Sequence, residues 1–94
     1  SDIYMPNAFT PDGDGINDLF KPVMNFVPEE FTMIIYDRNN IKVFQTNDPE
    51  NGWDGTIKGA RATEGVYIYY VEYKSYNGTR RALKPGTVTV FYPK

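Results

Sequence analysis

Val66-Tyr67-Ile68-Tyr69-Tyr70-Val71-Glu72-Tyr73-Lys74 is the stretch that decides the fold. Aromatic and β-branched side chains fit a pleated surface, and successive residues of a strand point to opposite faces. Tyr67, Tyr69, Val71 and Tyr73 therefore share one face, and Val66, Ile68 and Tyr70 share the other. Both faces are largely apolar near the start, which predicts a central strand.

The pattern continues outward. Tyr76-Asn77-Gly78-Thr79 is a hairpin turn signal, after which Arg80–Leu83 returns as a short strand. Pro85-Gly86 breaks it, and Thr87–Tyr92 is the last strand, with Val88 and Val90 inward and Phe91 opposite. On the N-terminal side, Phe31–Asp37 places Phe31, Met33 and Ile35 on one face, and Ile41–Gln45 follows. Between them Arg38-Asn39-Asn40 suits a tight turn, because Asn tolerates positive φ. Ile3–Met5 is a short first strand, while Pro6–Asp18 and Asn47–Gly59 are loops rich in turn-forming residues. No apolar repeat of helical period occurs, so one helical turn at Pro28–Phe31 is the most the sequence allows. About seven short strands divided by turns predict an all-β fold, an immunoglobulin-like antiparallel β-sandwich, as one domain over residues 1–94.

Composition narrows the chemistry. The chain of 94 residues has no Cys and no His. Disulfides and thiolate-bound zinc are excluded, and the usual general base near neutral pH is missing. Net charge is −2 with a pI near 5.0, which argues against nucleic acid as a partner. No apolar run is long enough for a transmembrane segment. The chain does not start with Met and carries no leader, as expected of a piece of a longer protein. Ten acids against three bases fall in residues 1–54, and two acids against seven bases in residues 55–94. Two balancing solvated faces explain that split, as does an acidic ion site paired with a basic docking face.

The most distinctive loop is Thr10-Pro11-Asp12-Gly13-Asp14-Gly15-Ile16-Asn17-Asp18. Hard cations take six to eight oxygens, and carboxylates on alternate residues of a tight loop can converge. With Thr10 at the first position of an EF-hand-like loop, Asp12, Asp14 and Asp18 fall at the third, fifth and ninth. Gly15 takes the sharp turn at the sixth, and the carbonyl of Ile16 the seventh. Thr10 replaces the first carboxylate and Lys21 stands where a bidentate Glu should close the cage, so a complete EF-hand is not expected. Asp12, Asp14, Ile16 and Asp18 are the candidate ligands of a weaker Ca²⁺ site, completed by water or a distant carboxylate. The alternative is a turn whose Asp and Asn side chains accept backbone N–H bonds.

Trp53, in Asn51-Gly52-Trp53-Asp54-Gly55, is either a buried plug at the end of the sandwich or an exposed stacking platform. Tyr67 and Tyr69 suit cross-strand packing, with Tyr73 and Tyr76 open to either role. Arg80, Arg81 and Lys84 are edge-strand guards. No acid/base pair and no phosphate-binding loop is evident, so the domain is not expected to be an enzyme.

Taken in order, the motifs resemble one family. Pro6-Asn7-Ala8-Phe9-Thr10-Pro11-Asp12-Gly13-Asp14-Gly15-Ile16-Asn17-Asp18-Leu19-Phe20 is similar to the opening of the gliding-motility-associated C-terminal domain, the type B sorting domain of the type IX secretion system of Bacteroidetes. Ile35-Tyr36-Asp37-Arg38 with Val43-Phe44, Gly52-Trp53-Asp54-Gly55, Glu64-Gly65-Val66-Tyr67-Ile68-Tyr69 and Lys84-Pro85-Gly86-Thr87-Val88-Thr89-Val90 follow in the family's order. The chain departs from the family with Asp12 for the usual Asn, Asn39-Asn40 for Trp-Gly, and Phe91-Tyr92-Pro93-Lys94 for a short basic ending.

The resemblance implies a sorting domain attached covalently to an upstream cargo. It would be read in the periplasm by outer-membrane secretion machinery and delivered to the cell surface or the medium. A terminal strand can dock by adding to a sheet, so Thr87, Val88, Thr89, Val90, Phe91 and Tyr92 are the candidate partner-binding residues. The competing expectation is a calcium-stabilised immunoglobulin-like binding module of a surface adhesin or secreted hydrolase, holding glycan or protein through Trp53 or the tyrosines.

Overall fold

The central strand expected at Val66–Lys74 is present as a ten-residue strand, Gly65–Lys74, hydrogen-bonded to neighbouring strands on both sides. The computed structural model describes residues 2–93. In chain order the strands are β1 (Ile3–Tyr4), β2 (Ala8–Phe9), β3 (Val23–Met24), β4 (Glu30–Tyr36), β5 (Lys42–Thr46), β6 (Thr56–Ile57), β7 (Ala60–Arg61), β8 (Gly65–Lys74), β9 (Arg80–Ala82) and β10 (Gly86–Val90). The described residues contain no helix, and Pro28–Phe31 leads directly into β4.

The principal sheet runs β2-β10-β8-β4-β5, with β9 paired to the C-terminal half of β8. Two-residue ribbons, β1-β3 and β6-β7, accompany it. They account for most of the difference from the expected strand number, being too short to leave a periodic signal. The pairings are antiparallel except one: β2 runs parallel to β10, with Thr89 opposite Ala8 and Val90 opposite Phe9. Pro6–Asp18, expected to be loop throughout, therefore contains a strand.

Phe31, Met33 and Ile35 of β4 are buried with Tyr67, Val71 and Tyr73 of β8 and Val88 and Val90 of β10. They form the inner face of the sheet. Phe9 of β2 extends that face, and over it lie Phe20, Trp53 and Ala62, with Ile3, Met24, Phe26 and Ile57 partly buried against them. Phe20 and Trp53 exchange reciprocal backbone hydrogen bonds of 2.9 Å, which join the loop after β2 to the loop after β5. The result is a small sandwich with unequal layers: one broad sheet, and opposite it a cover made of ribbons and loops.

Two irregularities interrupt the pairing. The register of β4 against β5 shifts between Ile35 and Tyr36. Beside β8, Tyr73 faces Arg81 while Tyr69 faces Gly86, so the register slips by one residue across Leu83–Pro85. Leu83, whose N–H donates to the Val71 carbonyl at 3.0 Å, and Val88 consequently lie on the same side of the sheet. The turn between β4 and β5 is fixed by Asp37, whose carboxylate accepts from the N–H groups of Asn39 (2.8 Å) and Ile41 (3.0 Å), and Asn40 takes a positive φ of 66°.

Candidate functional site

The last strand is not an open edge. β8 covers one side of it, and on the other the Thr89 N–H donates to the Asn7 carbonyl (2.9 Å) and the Phe91 N–H to the Phe9 carbonyl (3.1 Å). Strand addition at Thr89–Phe91 would require β2 to leave, and β2 is anchored by Phe9. That ring is 2% exposed and lies 5.5 Å from Trp53 and 5.9 Å from Phe20 between ring centroids. Along that stretch the backbone groups of the candidate partner-binding strand are already paired within the domain.

What β10 offers a partner is its outer face. Val88 and Val90 point into the core, whereas Thr87 and Phe91 are exposed and Thr89 is half-buried. Thr87, Thr89 and Phe91 line a shallow recess of about 600 Å³ together with Asn7, Ala8, Phe9, Thr10 and Asn17. This recess joins the start and the end of the chain. Its floor is the β2–β10 seam, and Thr10 and Asn17 are the two ends of the acidic loop, tied by a Thr10 N–H to Asn17 carbonyl bond of 2.9 Å. Sequence reasoning missed Asn7, Ala8, Thr10 and Asn17 as neighbours of the last strand, because a parallel pairing between distant segments leaves no local signal.

The acidic loop closes on itself. Gly13, Gly15 and Asn17 take positive φ values of 83°, 87° and 53°. That winding aims backbone N–H groups at the carboxylates. Asp18 accepts from Gly13 (3.0 Å) on one oxygen and from Gly15 (2.6 Å) on the other. Asp12 accepts from the Asp14 N–H at 3.2 Å, and Asp14 from the Ile16 N–H at 2.8 Å. These are the backbone bonds of the expected turn, made by the Asp side chains and not by Asn17. The same winding brings one carboxylate oxygen from each of Asp12, Asp14 and Asp18 within 4.8 Å of one another. Each carboxylate oxygen has two lone-pair directions, so an accepted N–H leaves room for a cation. The Ile16 side chain is exposed, and its N–H serves Asp14.

Tyr92 tethers the chain beyond β10. Its hydroxyl donates to the Ala62 carbonyl (2.7 Å), its N–H to Glu64 (3.4 Å), and the Arg61 guanidinium lies 4.8 Å from its ring centroid. Burial pushes its phenol above the usual range. Trp53 is fully buried, its indole N–H donating to the Thr56 carbonyl at 3.0 Å, which makes it the plug and not a platform. Beside it Asp54 accepts from the Thr56 hydroxyl (2.7 Å) and N–H (2.9 Å), and these bonds hold its carboxyl below the usual carboxylate range. Arg80 pairs with Glu30 and, at 3.1 Å, with Glu72, so this guard also links β9 to β8 and β4.

No helix of the described residues is long and apolar enough to cross a membrane. No curated protein matches the sequence. The sequence profile of the CHU_C Type IX secretion signal domain matches residues 3–90, from β1 to the end of β10. The match takes in the opening loop, the Trp53 plug, the central strand and the final strand that meets the opening motif in the recess, and the chain belongs to the type IX secretion signal domain family.

Proposed function

We propose that this domain is the C-terminal sorting module of a larger exported protein. It carries an upstream cargo through the outer membrane to the cell surface or the medium by being recognised, with no catalysis of its own. The family match across residues 3–90 supports this reading and carries it. The partner is the outer-membrane secretion machinery of a gliding Bacteroidetes-type cell. The surface it grips is the recess over the β2–β10 seam, where Thr87, Thr89 and Phe91 meet Asn7, Thr10 and Asn17. Phe91, half exposed on this face, is the aromatic anchor of that contact.

Removing Gly86–Lys94 would not test this cleanly. It also deletes Val88 and Val90, which are 0% and 1% exposed, so the domain would lose its core along with its surface. A sharper experiment fuses a secreted reporter to the intact domain in a cell with type IX machinery. Export is then compared with that of Phe91→Asp and Thr89→Lys fusions whose thermal melts match the parent. The reporter is expected in the medium with the parent domain and in the periplasm with the surface variants. A parent fusion that stays in the periplasm would refute the sorting role. Export of both variants at the parent's level would refute this surface.

We propose further that Ca²⁺ staples the opening loop, with Asp12, Asp14 and Asp18 as carboxylate ligands, the Ile16 carbonyl as a fourth and water completing the shell. The convergence of three carboxylates within 4.8 Å supports it. The ion's part is structural. It would hold Thr10 and Asn17, the loop's two ends, in the wall of the recess.

A further inference from the structure

The outer face of the principal sheet carries a second constellation that the sorting reading leaves unused. Tyr36 of β4 and Tyr70 of β8 stand on this face, their rings perpendicular (89°) with centroids 5.5 Å apart. Ile34 lies directly across from Tyr70. Tyr70 is 43% exposed although it sits on the central strand. Tyr36, Tyr70, Ile34 and Asn40 line a recess of about 440 Å³. Asn40 is held at its rim by the left-handed turn that Asp37 braces. On the other side of Tyr70 a second recess, of about 320 Å³, is lined by Thr32, Ile34, Tyr70, Glu72 and Ala82 of this face and reaches Val71 and Leu83, whose side chains belong to the inner one. The two share Ile34 and Tyr70, which form a ridge between them.

The chemistry of this corner is specific. No charged side chain lines the first recess. Among the described residues, the side-chain hydrogen bonds around the turn engage Asp37, Lys42 and Gln45 but not the Asn40 amide or the two phenols. The corner thus combines aromatic walls with one free amide and two free hydroxyls. An apolar protein side chain would leave those polar groups without partners at the cost of their hydration. A charged ligand finds no countercharge in the first recess. A pyranose ring meets both needs, placing its C–H face on an aromatic ring and its hydroxyls against amide and phenol. We propose that Tyr70 and Tyr36, with Asn40, form a site for a neutral oligosaccharide, with one sugar unit on each side of the Tyr70 ridge.

The test is titration of the intact domain with cellohexaose, xylohexaose and mannohexaose, followed by amide chemical shifts. At least one is expected to shift Ile34, Asn40 and Tyr70 with a millimolar Kd, about −4 kcal/mol, a strength usual for a shallow aromatic site. Tyr70→Ala is expected to weaken binding about tenfold or more, since aromatic contacts dominate such sites, while Tyr70→Phe keeps most of it. Thermal melts of both variants establish that they are folded. Absence of shifts with all three sugars up to about 20 mM, several times the expected Kd, would overturn the proposal. So would shifts confined to another face, or equal binding by a folded Tyr70→Ala domain.

Discussion

The Tyr69 ring lies across Gly86, its partner on the neighbouring strand, so closely that a Cβ on Gly86 would stand 2.3 Å from the phenolic oxygen and 2.4 Å from the carbon bearing it. The glycine leaves the space that the tyrosine fills, and Tyr69 reaches on to Phe20 at 5.5 Å between centroids. Its desolvated phenol is raised above the usual range. Gly86 needs no unusual φ, so the constraint is one of space alone. Gly86→Ala is expected to destabilise the domain by about 1–3 kcal/mol, as overpacking does. Adding Tyr69→Leu is expected to recover part of that loss. Urea denaturation of the two single variants and the double variant checks both statements.

Trp53 is the other keystone of the inner layer. It is fully buried, contacts Phe9 at 5.5 Å and Tyr67 at 5.1 Å between centroids, and shares a backbone bridge with Phe20. Trp53→Ala is expected to cost about 3–5 kcal/mol, the range for truncating a buried large aromatic. A small domain holds only about 5–15 kcal/mol in total, so this substitution removes a large share of it and should lower the melting temperature by more than about 12 °C. Trp53→Phe keeps an aromatic ring but loses the bond to Thr56 and the extra volume of the indole, and should melt between the parent and Trp53→Ala. Circular dichroism melts of the two variants distinguish these outcomes.

How far the sequence could be followed depended on whether a residue's partners were local. β4, β8 and β10 announce themselves by alternation, and the face assignments of Phe31, Met33, Ile35, Tyr67, Val71, Tyr73, Val88 and Val90 follow from it directly. The register slip across Leu83–Pro85 has no counterpart in alternation, because it arises from fitting β9 and β10 to one neighbour. The β2–β10 pairing was hidden for a stronger reason. Ala8-Phe9 is too short to show a period, and Pro6, Asn7 and Pro11 around it signal turns. Its place is decided by burial of Phe9 against Trp53 and Phe20, a tertiary effect. The same pairing makes β10 an interior strand of the sheet, and leaves the side chains of Thr87, Thr89 and Phe91 as what it presents outward.

The opening loop is expected to respond to both its carboxylates and a cation. Asp18→Ala removes the acceptor for the Gly13 and Gly15 N–H groups, a loss of about 1 kcal/mol for such bonds in an exposed setting. Amide exchange at Gly13 and Gly15 should quicken accordingly. If Ca²⁺ occupies the site, an ion concentration about ten times Kd raises stability by about 1.4 kcal/mol. The melting temperature of the parent should rise with Ca²⁺ and fall back with EGTA, while Asp18→Ala should not respond. A parent melt unchanged by about 5 mM Ca²⁺, above the usual range for extracellular sites, would refute the calcium staple.

Asp54 gives the domain a defined acid sensitivity. The Thr56 hydroxyl, and then the Thr56 N–H, bond to its carboxylate and lower its pKa in the folded state. A group whose folded pKa lies below its unfolded value binds its proton more tightly once unfolded. Its contribution is therefore fully present above the unfolded value and disappears as pH falls through the folded one. Stability should be flat with respect to this group at neutral pH and decline below the ordinary carboxylate range. Asp54→Asn should lower stability at pH 7 and flatten the decline below about pH 4, where an ordinary Asp titrates. Thr56→Val should do much the same, since it removes the first of the two bonds and leaves the N–H. Parallel acid titrations of the parent and the two variants, read as urea midpoints at each pH, check the sign. A steeper acid decline in Asp54→Asn than in the parent would show that another carboxylate controls it.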